Sequence, residues 1–561
     1  MSTAEPACFS TPEESGLHVE SLSFDNIPQQ SRLFLDYLRD PLALREFYPS
    51  AVRLHTELPG RATEVLSNYT TDRQQLCDAL RDTNAAWGAG EATIKNIGML
   101  READCMAVVS GQQAGLFSGP LYTIYKALSA VKLANCLTQR NIKTVPVFWI
   151  ATEDHDFAEV AKAEFIGRDC RLANVEVTTQ IHRDGQTVGR VTIDESINEV
   201  VKQALELLPV SEFSGDLEII LRDAWKPGRS YGEAFARMMT ALLGRYGLIF
   251  LDPLDPCLKK LAAPLYSRAA SKAHDIAAAI EVRSARLQEA GYHAQVTPSE
   301  NAFPLFLHDE SGARYALVRD ADGSYTSKSG GKTHSVEQLS QMALEQPERF
   351  SPNVTLRAVV QDYLLPTIAY YGGAAEVAYF AQTAEVYRLL GRPATPILPR
   401  ASLTMIESHT GRVLERYGLR LEDLFAGLDS VLARVVEEHL GAETAKTFAA
   451  TEGSVNSELD RLREQLRSVD PTLADALETG RRKINYQLEG LRTRFHRAQM
   501  ARDEAAHRQL QRAFDQLYPN KALQERHINI TSLLARHGRY VVEWIYNAIN
   551  IGSNEHHIVY L

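Results

Sequence analysis

One stretch limits the fold more than any other. Leu459, Leu462, Leu466, Val469 and Leu473 recur at steps of three and four, and Ile484, Leu488, Leu491, Phe495 and Ala498 continue at steps of four and three. This spacing lines apolar side chains along one helical face, flanked by Arg, Glu and Gln, which is the pattern of a coiled-coil seam. Ser468-Val469-Asp470-Pro471 interrupts it, and Asp470 as N-cap with Pro471 in the first helical position would restart a helix there. The spacing predicts an α-helical antiparallel coiled coil within residues 411–518. Its second helix would run from Pro471 to Leu517, about 47 residues and roughly 70 Å long. Gly441, Gly453 and Gly480 weaken the seam and leave a single kinked helix or a compact bundle as competing readings.

Residues 101–410 follow a different rule. Short β-rich runs alternate with helical stretches, the pattern of a mostly parallel α/β sheet. Met106-Ala107-Val108-Val109, Val145-Pro146-Val147-Phe148-Trp149-Ile150 and Leu248-Ile249-Phe250-Leu251 read as buried strands, and a helix is expected from Pro120 to Gln139. Pro304–Leu307 and Ala313–Val318 flank Asp309-Glu310-Ser311-Gly312 and read as a hairpin, so inserted elements are expected within the sheet domain. Residues 1–100 read as a mostly helical segment packing on this core, broken at Pro41, Pro49 and Pro59. Residues 519–561 return to mixed composition and to the core, where Ile558-Val559-Tyr560-Leu561 could add a strand.

Composition narrows the partners. The 561 residues carry a net charge of −11, which argues against a general nucleic-acid binder. No apolar run is long enough to span a membrane, and Met1-Ser2-Thr3-Ala4-Glu5-Pro6 does not open a secretory signal. Six scattered cysteines without any Cys-x-x-Cys suit neither a disulfide scaffold nor a zinc ribbon. The expectation is a reduced, cytoplasmic protein without an evident metal site.

Four stretches could carry chemistry. Ser110-Gly111-Gln112-Gln113-Ala114-Gly115, continuing to Gly119-Pro120, joins a predicted strand to a predicted helix. Its glycines would let backbone N–H groups approach a ligand, with strand-to-helix packing as the alternative. Trp149-Ile150-Ala151-Thr152-Glu153-Asp154-His155-Asp156 sets three carboxylates around one histidine at a strand end. These could tune an imidazole for proton transfer, bind an ammonium group or a metal, or simply complement a helix N-terminus. Asn353, Arg357 and Gln361, with Gly373, Glu376 and Tyr379 after Tyr370-Tyr371-Gly372, fall on helical faces or at a helix start, where capping would serve as well. Ser327-Lys328-Ser329-Gly330-Gly331-Lys332-Thr333-His334 contains Gly-Lys-Thr, but a P-loop needs glycine where Thr326 stands, so that reading fails. An exposed basic loop is the simpler reading. His556-His557 lack partners at ligand spacing and read as surface histidines.

Ser110 to Ala127, Pro146 to Val160, Ser351 to Pro366, Gly372 to Gln382 and the late coiled coil together resemble, in the same order and over essentially the whole chain, the BshC family. These are the cysteine-adding enzymes of bacillithiol biosynthesis. The resemblance implies a Rossmann-like, nucleotidylyltransferase-like core with inserted connecting segments, and a coiled coil that pairs two subunits as a homodimer. It implies a ligase that joins cysteine to glucosaminyl-malate, with ATP as the expected nucleotide. Adenylylating enzymes with such a core carry H-x-G-H at the first turn, where this chain offers Gln112 and Gln113. Ala374 stands where the family has proline, and Gln524-Glu525-Arg526 is kept.

On this reading His155 is the catalytic base, oriented by Asp154 or Asp156. Ser110, Gly111, Gln112, Gln113, Gly115, Trp149, Glu153, Asn353, Arg357, Gln361, Gly373, Glu376 and Tyr379 bind substrate, while Lys328, Lys332 and Arg526 face a nucleotide. The alternative is a non-catalytic nucleotide-binding scaffold that docks partners through its coiled coil.

Overall fold

Three runs rich in Val, Ile and Phe become the centre of a sheet because side chains on both of their faces can be buried. In the computed structural model, which describes residues 17–561 other than 298, 300, 311 and 328–331, these are β1 (Met106–Gln112), β2 (Thr144–Ile150) and β3 (Ile249–Leu251). An inserted antiparallel sheet follows, built from β4 (Ala302–His308), β5 (Arg314–Arg319), β6 (Tyr325–Ser327) and β7 (Phe350–Pro352). The main sheet is completed by β8 (Thr367–Gly372) and β9 (Ile397–Pro399).

The main sheet is parallel, in the order β9-β8-β1-β2-β3. Chain order therefore reverses between β1 and β8, and in open α/β sheets the crevice beyond the strand carboxyl ends at such a point is where ligands bind. The predicted hairpin is the β4–β5 pair, with Phe306 opposite Ala316, and β7 adds to its other edge with Ser351 opposite Phe306. Helices α1 (Leu121–Gln139), α2 (Pro256–Ser271), α3 (Val354–Leu364) and α4 (Ala374–Leu389) cover the sheets. The Rossmann-like core with inserted segments is thus the fold of this part of the chain.

Contacts divide the chain into two compact units, one holding the described residues up to Thr404 together with Glu525–Val559, the other Met405–Gln524 with Tyr560–Leu561. In the second unit, α5 (Ala442–Val469) and α6 (Pro471–Arg502) form the helical hairpin. Asp470 caps α6, its carboxylate accepting from the Thr472 N–H at 2.8 Å. The second helix is shorter than predicted. It stops at Arg502 because Asp503 leaves helical geometry (φ −110°, ψ 68°) and caps a new helix, α7 (Glu504–Leu517), accepting from the Ala506 N–H at 3.0 Å. A side chain that can cap competes with continuing the helix, and here the cap prevails.

His556 and His557 are not surface residues. Both are buried, and the His556 ring sits between the hydroxyls of Ser402 (2.7 Å) and Thr404 (2.9 Å). The strand His556–Tyr560 that carries them lies beside His18–Leu22 in a small sheet, so its apolar neighbours draw the histidines inward. Burial pushes the His556 imidazole down to about 4, leaving a neutral ring. No helix among the described residues is long and apolar enough to cross a membrane.

Candidate active site

The switch point opens into a cavity of about 650 Å³. It is lined by Gly111, Gln112 and Gln113 after β1, by Trp149 and Glu153–His155 at and beyond β2, and by Gly373–Glu376 after β8. Phe306 and Arg314 come from the inserted sheet, Tyr122 and Lys126 from α1, Asn353 and Arg357 from the start of α3, and Tyr379 from α4. Gln112 and His155 share this cavity, and a hydrogen bond joins their loops directly: the Gln113 amide donates to Asp154 at 2.7 Å and to Glu159 at 2.8 Å.

Gly111 is fixed by packing. A Cβ there would lie 2.6 Å from the carbonyl oxygen of Trp149 on the paired strand. Beneath it, Lys126 donates to the Gly111 carbonyl and to the Gln112 side chain, both at 2.9 Å, and pairs with Glu376. Glu376 also accepts from the Tyr370 hydroxyl at 2.5 Å and from the Gly373 N–H at 2.7 Å. Burial alone would raise the Glu376 carboxyl, but the Lys126 charge and these hydrogen bonds outweigh it and hold the group below the usual carboxylate range.

At the β2 tip the four consecutive polar residues take separate tasks. Glu153 is buried and paired with Lys259 of α2, which also donates to the Phe350 carbonyl at 2.5 Å. Asp154 accepts the His155 N–H at 2.7 Å. His155 is about half-exposed, its Nδ1 3.3 Å from the Arg314 guanidinium and 3.6 Å from Asp154 Oδ1. Arg314 is itself buried, stacked on the Phe306 ring at 3.7 Å and donating to the Pro352 carbonyl at 3.3 Å. Asp156 does not reach the cavity lining. It is exposed and caps the short helix Phe157–Val160, accepting from the Glu159 N–H at 3.3 Å.

Several further expectations are redirected. Ser110 faces away, donating to the Tyr371 carbonyl at 2.9 Å. Gly115 serves loop packing, since a Cβ would meet Gly119 Cα at 2.7 Å, and its own N–H is used by the Gln113 carbonyl. The glycine stretch is therefore folded on itself beyond Gln113. Gln361 lies outside the lining, fully buried; its carbonyl oxygen accepts from Arg357 at 3.2 Å. Asn353 both lines the cavity and caps α3, accepting from Thr355 and Leu356 N–H groups. Lys332 is exposed and away from the lining, and Lys328 lies outside the described residues. Arg526 does line the cavity.

Sequence reasoning missed Lys126, Tyr122, Tyr370, Arg314 and Arg400. Lys126 had a signal, being one of two lysines, with Lys132, in the mostly apolar run Leu121–Leu137. Arg400 had one too, standing just past a short strand; it forms a two-pronged pair with Glu525 at 2.7 and 2.9 Å. Burial would raise the Glu525 carboxyl, and the Arg400 charge overrides this and lowers it. Arg314 had none, because only the tertiary meeting of two sheets brings it to His155.

The cavity thus gathers Lys126, Arg314, Arg357, Arg400 and Arg526 with the carboxylates Glu153, Asp154 and Glu376. Among the described residues Arg357 makes no ion pair; it is held by Gln361 and by the hydroxyls of Tyr379 (2.9 Å) and Tyr370 (3.4 Å). A guanidinium so held, with no carboxylate in direct contact, has the donor geometry to take a carboxylate or phosphate.

Residues 17–401 match the family described as "Bacillithiol biosynthesis BshC, N-terminal Rossmann-like domain", and residues 403–561 its "C-terminal coiled-coil domain". The chain belongs to the BshC family. A BshC relative from Koribacter versatilis is 38% identical over 95% of this chain and 98% of its own length. Others from Solibacter usitatus (35%, over 97% and 100%) and Salinibacter ruber (34%, over 94% and 96%) are comparably similar. Each is named "Putative cysteine ligase BshC". The BshC match extends the coiled-coil description to the chain's end, whereas contacts assign Glu525–Val559 to the sheet-bearing unit.

Proposed function

We propose that this protein is a ligase that joins the carboxyl group of cysteine to the amine of glucosaminyl-malate, completing bacillithiol at the expense of ATP. The observation that carries the reading is the cavity at the strand switch point, where an unpaired Arg357 shares one space with the Asp154–His155 tip. A malate moiety brings two carboxylates, which suit Arg357 and the exposed guanidinium of Arg526. The same two cations suit phosphate oxygens, so the donor set also fits a nucleotide's phosphates. When bound, ATP supplies the leaving group that makes a cysteine carboxyl reactive toward an amine.

The residues of the chain manage charge and one proton. His155 Nδ1 has two neighbours of opposite demand. Arg314 can only donate to it, whereas Asp154 can only accept from it. As placed, Nδ1 accepts from Arg314 and the ring proton sits on Nε2; once Arg314 releases Nδ1 and Nδ1–H turns to Asp154, Nε2 takes the proton that the attacking amine must lose. Lys126 and Glu376, already paired, keep the Gln112 side chain and the Gly373 turn in place beside the reacting groups.

The second unit suits pairing of two copies. Val469, Ile484 and Leu491 of the hairpin remain exposed, and a coiled coil from a second chain would cover them.

Purified protein given cysteine, glucosaminyl-malate and ATP should yield the condensed thiol by mass analysis, and none when ATP is omitted. Folded protein that yields no product would overturn the ligase and favour the scaffold reading. Product without ATP would remove the nucleotide.

A further inference from the structure

Within Gln524-Glu525-Arg526 the sequence assigns a role to Arg526 alone, and the structure ties the residues from Glu525 onward to the site. Glu525 holds Arg400, Arg526 lines the cavity, and three residues later comes Asn529, buried to 1% exposure. The two N–H donors of the Asn529 side-chain amide reach three backbone carbonyls, those of Leu116 (3.1 Å), Phe117 (2.6 Å) and Gly119 (2.8 Å), so one N–H is shared between two of them. Its own carbonyl oxygen accepts the Thr531 N–H at 3.0 Å, and its backbone N–H donates to Glu164 at 2.7 Å, so the residue is pinned from both sides. Next to it, the Ile528 carbonyl accepts the first N–H of α1, from Leu121, at 2.8 Å.

The turn that Asn529 grips is strained. Phe117 (φ 50°) and Ser118 (φ 79°) both occupy the left-handed region, followed by Gly119 at φ 71°. Each such non-glycine residue costs on the order of 1 kcal/mol or more and persists only where surroundings enforce it. Phe117 and Ser118 are fully buried, so water cannot take the place of the lost partners. This turn lies between two cavity elements. Gln112 precedes it, while Tyr122 and Lys126 follow on the first turns of α1, and all three are joined by the bonds of Gln112 to Tyr122 (3.2 Å) and Lys126 (2.9 Å).

We propose that Asn529 is a positioning residue for the active site, gathering the carbonyls of Leu116, Phe117 and Gly119 so that the strained turn aims Tyr122 and Lys126 into the cavity. This rests on the proposed function only in taking that cavity to be the site of reaction. Asn529 touches no lining group itself; it acts through the turn.

Asn529→Asp is nearly isosteric, keeps the acceptor for Thr531 and removes the donated bonds, while Asn529→Ser keeps one donor and serves if the aspartate variant does not fold. Two readouts are taken on the full chain. Amide hydrogen exchange needs no assay, and in either variant it should accelerate about tenfold across Leu116–Leu121 while β3 and α2 stay as in the wild type. Steady-state kinetics should show KM for glucosaminyl-malate raised about tenfold or more, with kcat changed less and the serine variant intermediate. Unchanged exchange across the turn would overturn the clamp. Faster exchange with wild-type KM and kcat would overturn the positioning role. A wild-type protein that makes no product would sink the ligase reading alone, and exchange would still decide the clamp.

Discussion

The sheet-bearing unit and the helical hairpin place their apolar residues under opposite rules. Strands β1 and β2 bury nearly every side chain, and the charged groups held inside the same unit, Lys126, Glu153, Glu376 and Glu525, are each tied to an opposite charge. In α5 no residue is fully buried, and α6 buries only Ala474 and Met500. Two helices cover only one narrow stripe of each other, so half of a seam faces outward unless something else covers it. The difference teaches where sensitivity should lie. A change in the sheet unit disturbs paired charge in a closed space, while one in the hairpin disturbs a surface.

The largest effect should come from the one imidazole that lines the cavity. His155→Asn removes the proposed proton acceptor but not a packing group, since the ring is half-exposed. Product formation should fall by about 10²–10⁴-fold with melting temperature unchanged, read by mass analysis and thermal unfolding on the same sample. Activity near wild type would put the base elsewhere. Lys126→Met should come next, in stability rather than rate alone. It leaves Glu376 with a buried charge lacking its counter-ion, and breaking such a pair costs ~3–5 kcal/mol. Lys126→Met with Glu376→Gln together should recover most of that loss, which a denaturation series of the four variants would measure.

How much of this was legible in the sequence differs between the two units. The hairpin's turn was readable because Asp470 and Pro471 are local signals that act within one helical turn. Its end was not, because Asp503 is one of many surface aspartates and only geometry shows it capping. The parallel strands and inserted hairpin followed from runs of apolar residues and their punctuation. The cavity was half legible. Residues next to strand ends, such as Gln112, Gln113, Asp154, His155 and Gly373, announced themselves by position. Arg400 likewise stands just past a short strand, whereas Arg314 depends on the meeting of segments far apart in sequence. The glycine loop misled because glycines serve close packing and ligand approach alike; Gly111 and Gly115 are both packing glycines here.

A buried carboxyl outside the cavity sharpens the comparison at intermediate size. Asp252 follows β3, accepting from the Thr152 hydroxyl and from the Leu254 N–H at 2.9 Å. Burial pushes it up to about 6, against these hydrogen bonds. The native state then keeps this proton to about pH 6 whereas an unfolded chain releases it near 4, so the native state binds more protons in that window. The group's destabilising contribution is full above pH 6 and fades as pH falls toward 4. Asp252→Asn should therefore raise stability by roughly 2–3 kcal/mol at neutral pH and by little near pH 4. Equal gains at both pH values would refute the assignment.

The smallest effect tests the hairpin's open face. Val469 is 77% exposed, so in an isolated chain Val469→Ser removes almost no buried surface and should change stability by no more than about 0.5 kcal/mol. In a pair of chains the same side chain would be covered, and the loss would appear as a weaker association. The two cases separate by concentration, because binding that favours the native state makes the melting temperature rise with protein concentration. Sedimentation and thermal unfolding of wild type and Val469→Ser across a hundredfold dilution, about 2.7 kcal/mol of mass action, should show a dimer that the serine variant weakens slightly. A wild-type chain whose melting temperature and mass ignore dilution would leave the hairpin a single-chain element, and the contrast with the sheet unit would then be one of surface against core alone.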